Sequence, residues 1–87
     1  MNTDDRQLII RLQILSVLDD CGEHLLPEGT LLTQVQLAIE PAPMMSEFSE
    51  ALAFLDARKM VTGIRPALGG APKWRITPLG KTEIATK

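Results

Sequence analysis

A thiol and an imidazole stand three residues apart at Cys21 and His24, the nearest approach in this chain to the pairing that activates a nucleophile. Their setting opposes that use. Asp20 and Glu23 flank them, and neighbouring carboxylates disfavour the thiolate that such chemistry needs. Cys21 therefore reads as a small buried side chain and His24 as a surface residue. The adjacent acids Asp4/Asp5 and Asp19/Asp20 diverge on a helix and cannot form a catalytic pair, so they read as charges at helix ends. Gly69-Gly70 lacks the lysine and following helix of a phosphate-cradling loop and fits a hairpin tip. Trp74, between Lys73 and Arg75, has the neighbours of a base-stacking platform; as the only Trp among three aromatic residues it is expected in the core with Ile76. Met44-Met45 reads as gap-filling at a helix entry. With one cysteine there is no internal disulfide, and no His/Cys cluster has metal-ligand spacing. We expect no enzyme activity, no cofactor and no metal.

What must position the remaining chemistry is a small scaffold. A chain of 87 residues buries only about 60–65% of its unfolded surface, enough for one domain over 1–87 and no second core. The N-terminus is polar and acidic where a secretory signal needs a basic start, and no apolar run nears the ~20 residues that cross a bilayer. A cytoplasmic protein without a membrane partner is the expectation. The net charge of -2 hides a division. Residues 1–56 carry two basic residues against ten acidic ones, a charge of -8, whereas residues 57–87 carry seven against one, a charge of +6. Such asymmetry suits a charged partner, or two halves that attract each other.

Hydrophobic spacing predicts the elements. Asp4–Asp20 lacks Gly and Pro and reads as a helix with two apolar stripes: Leu8, Leu12 and Leu15 on one, and Ile10, Ile14, Val17 and Leu18 on the other. Gly22 stops it. A brief extended piece follows over Glu23–Pro27. Thr30 is the expected N-cap of a short helix over Leu31–Ile39, which Pro41 and Pro43 terminate. Ser46 is the expected N-cap of a third helix that buries Phe48, Leu52 and Leu55 and ends near Lys59. Two strand-like runs, Met60–Arg65 and Lys73–Thr77, flank the Pro/Gly loop Pro66–Pro72 as a hairpin, with Gly63 marking a bulge or a close approach. Thr77-Pro78 is an N-cap followed by a first-turn proline, opening a helix over Leu79–Thr86.

This order, with Ser46–Val61 as a capped helix of spaced leucines running into a hydrophobic pair, resembles the winged-helix superfamily. Ile76-Thr77-Pro78-Leu79-Gly80 is similar to that family's exit from the wing. More weakly, Arg11–Leu15 and Leu79-Gly80 are similar to small winged-helix proteins of Mu-like phages. The resemblance implies an α+β, mostly helical fold with a three-helix core, a two-stranded β-hairpin wing and a short C-terminal helix. It also implies a double-stranded DNA partner and a role as a transcription regulator. It makes Ser46, Glu47, Ser49, Glu50 and Ala53 the groove-facing positions of the third helix. Two of those five are acids, which meet the phosphate lattice with like charge. Phosphate contact is therefore expected mainly from the basic wing, Arg65, Lys73 and Arg75, with Lys81 and with Arg58 and Lys59 at its base; Ser46 and Ser49 complete the expected nucleic-acid-binding set. The alternative is a protein-interaction or assembly module that binds no DNA and uses the acidic third helix and the apolar first helix as contact surfaces. The stripe Leu8, Leu12 and Leu15 predicts a homodimer contact.

Overall fold

A computed structural model describes residues 3–85, with the elements α1 (Thr3–Asp20), β1 (Leu26–Pro27), α2 (Glu28–Ala38), α3 (Met45–Ala57), β2 (Val61–Ile64), β3 (Lys73–Ile76) and α4 (Pro78–Ala85). The described residues are α+β, with four helices and one three-stranded antiparallel sheet in the order β1-β3-β2. The hairpin expected to be two-stranded thus gains β1, which pairs Leu26 with Trp74 and Pro27 with Lys73. Proline is tolerated there because β1 is an edge strand, with one side of its backbone unpaired. The last helix was expected to reach Thr86, which lies outside the described residues.

α1 turns Ile10, Ile14 and Leu18 fully into the core, while Val17 is half-buried. Leu15 joins them at 2% exposure, which corrects its assignment to a free dimer stripe. Its place follows from the helix itself: three residues from Leu18, it projects only about 60° away around the axis. Leu8, at 45% exposed, and the half-buried Leu12 remain at the surface. Gly22 ends the helix as expected, with φ of +63° and its N–H on the Asp19 carbonyl (3.0 Å).

The starts of α2 and α3 differ from the local capping rules. α2 begins at Glu28, two residues before Thr30, because the Glu28 N–H donates to the Pro72 carbonyl (3.1 Å) and its carboxylate accepts from Trp74 Nε1 (3.1 Å). The β2–β3 hairpin, not a threonine hydroxyl, fixes that helix start. α3 begins at Met45, so Ser46 is a helical residue and not the cap. Glu47 serves instead, its Oε1 accepting the Met44 N–H (3.0 Å). The buried stripe of α3 is the expected Phe48, Leu52 and Leu55, with Ala51 added. Its end folds back on itself: Met60 N–H reaches the Leu55 carbonyl (2.9 Å) and Lys59 N–H the Asp56 carbonyl (3.1 Å), with Lys59 left-handed at φ +64°.

In β3 the expected alternation holds, with Trp74 and Ile76 buried and Lys73 and Arg75 outward. Gly63 lies opposite Trp74, and a Cβ there would fall 2.7 Å from the indole ring, so the close approach is the correct reading of this glycine. The inner face of the sheet closes over α1, α2 and α3 around one core.

Candidate nucleic-acid interface

The outward face of the sheet is set by its register, which places Arg75 opposite Thr62 and Lys73 opposite Ile64. Successive outward positions on β3 lie about 6–7 Å apart, so Lys73 and Arg75 form a short basic row. Arg65 is exposed where β2 enters the loop. Lys81 of α4 comes to the same face: with Arg75, Thr62, Thr77, Glu23 and Gly22 it lines a cleft of about 260 Å³ beside the sheet.

Three hydrogen bonds and one missing side chain hold Lys81 there. Thr77 Oγ1 donates to the Lys59 carbonyl (2.6 Å) and accepts the Gly80 N–H (3.2 Å), the expected N-cap of α4. The Thr77 N–H donates to the Met60 carbonyl (3.0 Å). Gly80 is buried against that same strand entry, where a Cβ would come 2.3 Å from the Met60 carbonyl oxygen. The turn at Lys59 thus docks α4, and α4 delivers Lys81.

Other residues expected in the cluster lie elsewhere. Arg58 stacks on Phe54, its guanidinium carbon 4.3 Å from the ring centroid, and Arg11 of α1 stacks on the same ring at 3.6 Å. Such contacts are worth about 0.5–1 kcal/mol each at partly exposed sites and hold both cations on the α1/α3 side. Ser46 and Ser49 are exposed in the N-terminal half of α3. Neither serine lines the cleft with Arg75 and Lys81, and Ser46 lies twelve residues from Arg58, roughly 18 Å along the helix. Trp74 is 5% exposed and committed to Glu28, which removes it as a stacking platform.

The acids of α3 are handled unequally. Glu47 receives Arg6 at both oxygens (2.6 and 3.2 Å), and Arg6 also donates to the Pro41 carbonyl (3.0 Å). Arg6 holds the Glu47 carboxyl below its ordinary range, with help from the Met44 N–H, and the same bond raises the guanidinium. Gln7, buried beside them, donates Nε2 to the Glu47 carbonyl (3.2 Å). Glu50 stays exposed. The Arg6–Glu47 joint was not anticipated from sequence, because its partners are 41 residues apart; the acid at the third helical position was the only local signal.

Leu8, Leu12 and Leu15 line one groove with Phe54, Leu55 and Met60, Leu15 forming part of its floor. Cys21 is half-buried and His24 exposed, and no side-chain hydrogen bond joins them. Among the described residues no three His, Cys, Asp or Glu side chains converge as metal ligands, and no helix is long and apolar enough to cross a membrane. No protein-family model matches the chain, and no curated protein is significantly similar to it.

Proposed function

We propose that this chain is a cytoplasmic winged-helix DNA-binding protein, a transcription regulator that grips duplex phosphates mainly through its wing. The order helix, strand, helix, helix, strand, strand, helix supports the winged-helix reading. The observation that carries the DNA reading is the outward row Lys73 and Arg75, extended by Lys81 in the cleft and by Arg65 at the loop entry. No acid occurs in the sequence between Asp56 and Glu83, and Glu23 is the one acid that lines the cleft. α3 lies against the DNA at most by its edge, since Glu50 is exposed and the helix carries no Lys or Arg. Glu47 is no obstacle, because Arg6 holds its charge.

Four phosphate contacts give a slope near -3.6 in log affinity against log salt, so affinity falls roughly 150-fold for a fourfold rise in salt. Fluorescence anisotropy of a labelled random duplex between 50 and 200 mM salt measures this. Binding that is absent at low ionic strength, or insensitive to salt, overturns the reading.

A second reading concerns assembly, and the exposed Leu8 favours it. In that reading the groove between α1 and α3 takes a second copy of the chain, making a homodimer, or another protein partner, with Leu8 and Leu12 as the contact and Leu15 beneath them.

A further inference from the structure

We infer that Leu68 at the wing tip is a wedge that enters the minor groove and unstacks a base step. The inference rests on the DNA reading above and goes beyond phosphate contact.

Leu68 is the most exposed of the large hydrophobic side chains, at 103% of its reference area. It is not a loose end. The Gly69 N–H donates to the Pro66 carbonyl (3.2 Å), closing a four-residue turn that holds Leu68 at its corner. Gly69 and Gly70 follow at φ +99° and +102°, conformations that L side chains rarely adopt, and they turn the chain back at once toward β3. Between Pro66 and Pro72 every other residue is Ala or Gly, so one isobutyl group projects from a tip otherwise no bulkier than methyl groups.

Along the chain on either side of this knob the charge is of one sign. Arg65 and Lys73 bracket the loop, and the next cation on the same face is Arg75. Leaving a leucine fully in water forgoes the burial that a core or a partner would supply. A narrow groove walled by phosphates suits both features: the cations meet the walls, and the apolar tip enters between bases. Apolar wedges of this size unstack a base step and kink the duplex toward the major groove. A lipid surface is the poorer match, because one leucine with a few cations falls short of the two membrane signals that stable anchoring takes.

The test uses the intact chain with duplexes that carry 2-aminopurine next to TpA steps, which unstack most readily, and with fluorophores at the duplex ends. Wild-type protein is expected to raise the 2-aminopurine emission and shorten the end-to-end distance. Leu68→Ala should retain the salt slope, lose the emission change and bind three- to tenfold more weakly, while Leu68→Phe restores the emission. Because Leu68 touches little, Leu68→Ala should unfold at the wild-type urea midpoint. Salt-sensitive binding with equal affinity, emission and bending in Leu68→Ala overturns the wedge and leaves the DNA reading standing. No salt-sensitive duplex binding by wild type removes both, and binding to anionic phosphatidylserine vesicles that depends on Leu68 replaces the wedge with a membrane contact.

Discussion

Gly29→Ala and Gly80→Ala are the same chemical change in two helices, and the structure predicts opposite signs. At Gly29 a Cβ meets nothing within 4 Å, so alanine should stabilise the chain by about 0.4–1 kcal/mol through the lower entropy of the unfolded state. At Gly80 the same gain is overwhelmed. The new methyl would lie 2.3 Å from the Met60 carbonyl oxygen and 2.8 Å from Ile76 Cγ1, so α4 must retreat by at least about 0.7 Å to reach a tolerable 3.0 Å. A retreat of that size along the bonds takes Thr77 Oγ1 to Lys59 from 2.6 Å, and Thr77 N–H to Met60 from 3.0 Å, to or beyond the limit of a useful hydrogen bond. Each such bond is worth about 0.5–1.5 kcal/mol, and overpacking by one methyl costs about 1–3 kcal/mol. A net loss of about 1–3 kcal/mol follows for Gly80→Ala. For a domain of this size that lowers Tm by roughly 5–20 °C. Urea unfolding followed by fluorescence of Trp74, the one tryptophan, measures both variants. Because α4 carries Lys81 into the cleft with Arg75, Gly80→Ala should also weaken duplex binding. The reasoning is refuted if Gly80→Ala unfolds at or above the wild-type midpoint, or if Gly29→Ala falls by the same amount.

Glu47 makes stability depend on pH in a known direction: its folded pKa is lowered, so its contribution is present above its ordinary value of 4.5 and is lost as pH falls through the folded value. Glu47→Gln should therefore unfold at lower urea than wild type at pH 7 and converge with it in acid; a constant gap across that range sinks the assignment. Ile14→Lys places a charge at a fully buried site in the middle of the core and should abolish folding, whereas Leu8→Lys should keep the wild-type melting curve and leave only monomer in sedimentation. A wild-type chain that sediments as monomer at high micromolar concentration ends the dimer reading.

The elements legible in the sequence are those whose causes are local. The 3.6-residue spacing of Phe48, Leu52 and Leu55, the alternation of Trp74 and Ile76, and the Thr77-Pro78 start of α4 all need only neighbours along the chain. Three misplacements share the opposite cause. Thr30 lost the α2 start to Pro72 and Trp74, Ser46 lost the α3 start to a glutamate that Arg6 anchors, and β1 exists only because β3 lies beside it. In each, a partner more than 40 residues away outbid a nearby capping rule, or supplied pairing that no local pattern encodes. Leu15 is a different miss. Helical spacing put it with Leu8 and Leu12, and it lines their groove with Phe54, Leu55 and Met60, where it is buried.

The same distinction bears on the candidate site. The basic half of the chain was visible as a sum, but a sum does not say whether its charges are already satisfied by the acidic half. In the fold, the acids of residues 1–56 that make named side-chain bonds, Glu28 and Glu47, turn to Trp74 and Arg6. Neither turns to a basic side chain of the hairpin. Among the described residues Arg65, Lys73, Arg75 and Lys81 make no ion pair, although Glu23 shares the cleft with two of them. The like charges of Lys73, Arg75 and Lys81 repel one another, and Arg65 at the loop entry adds to a repulsion that is a standing cost in a chain of this size. An external polyanion removes the cost by neutralising them together. Glu28 and Glu47 of the acidic half thus help to build the scaffold, and among the described residues Lys73, Arg75 and Lys81 of the basic half face outward without an ion pair.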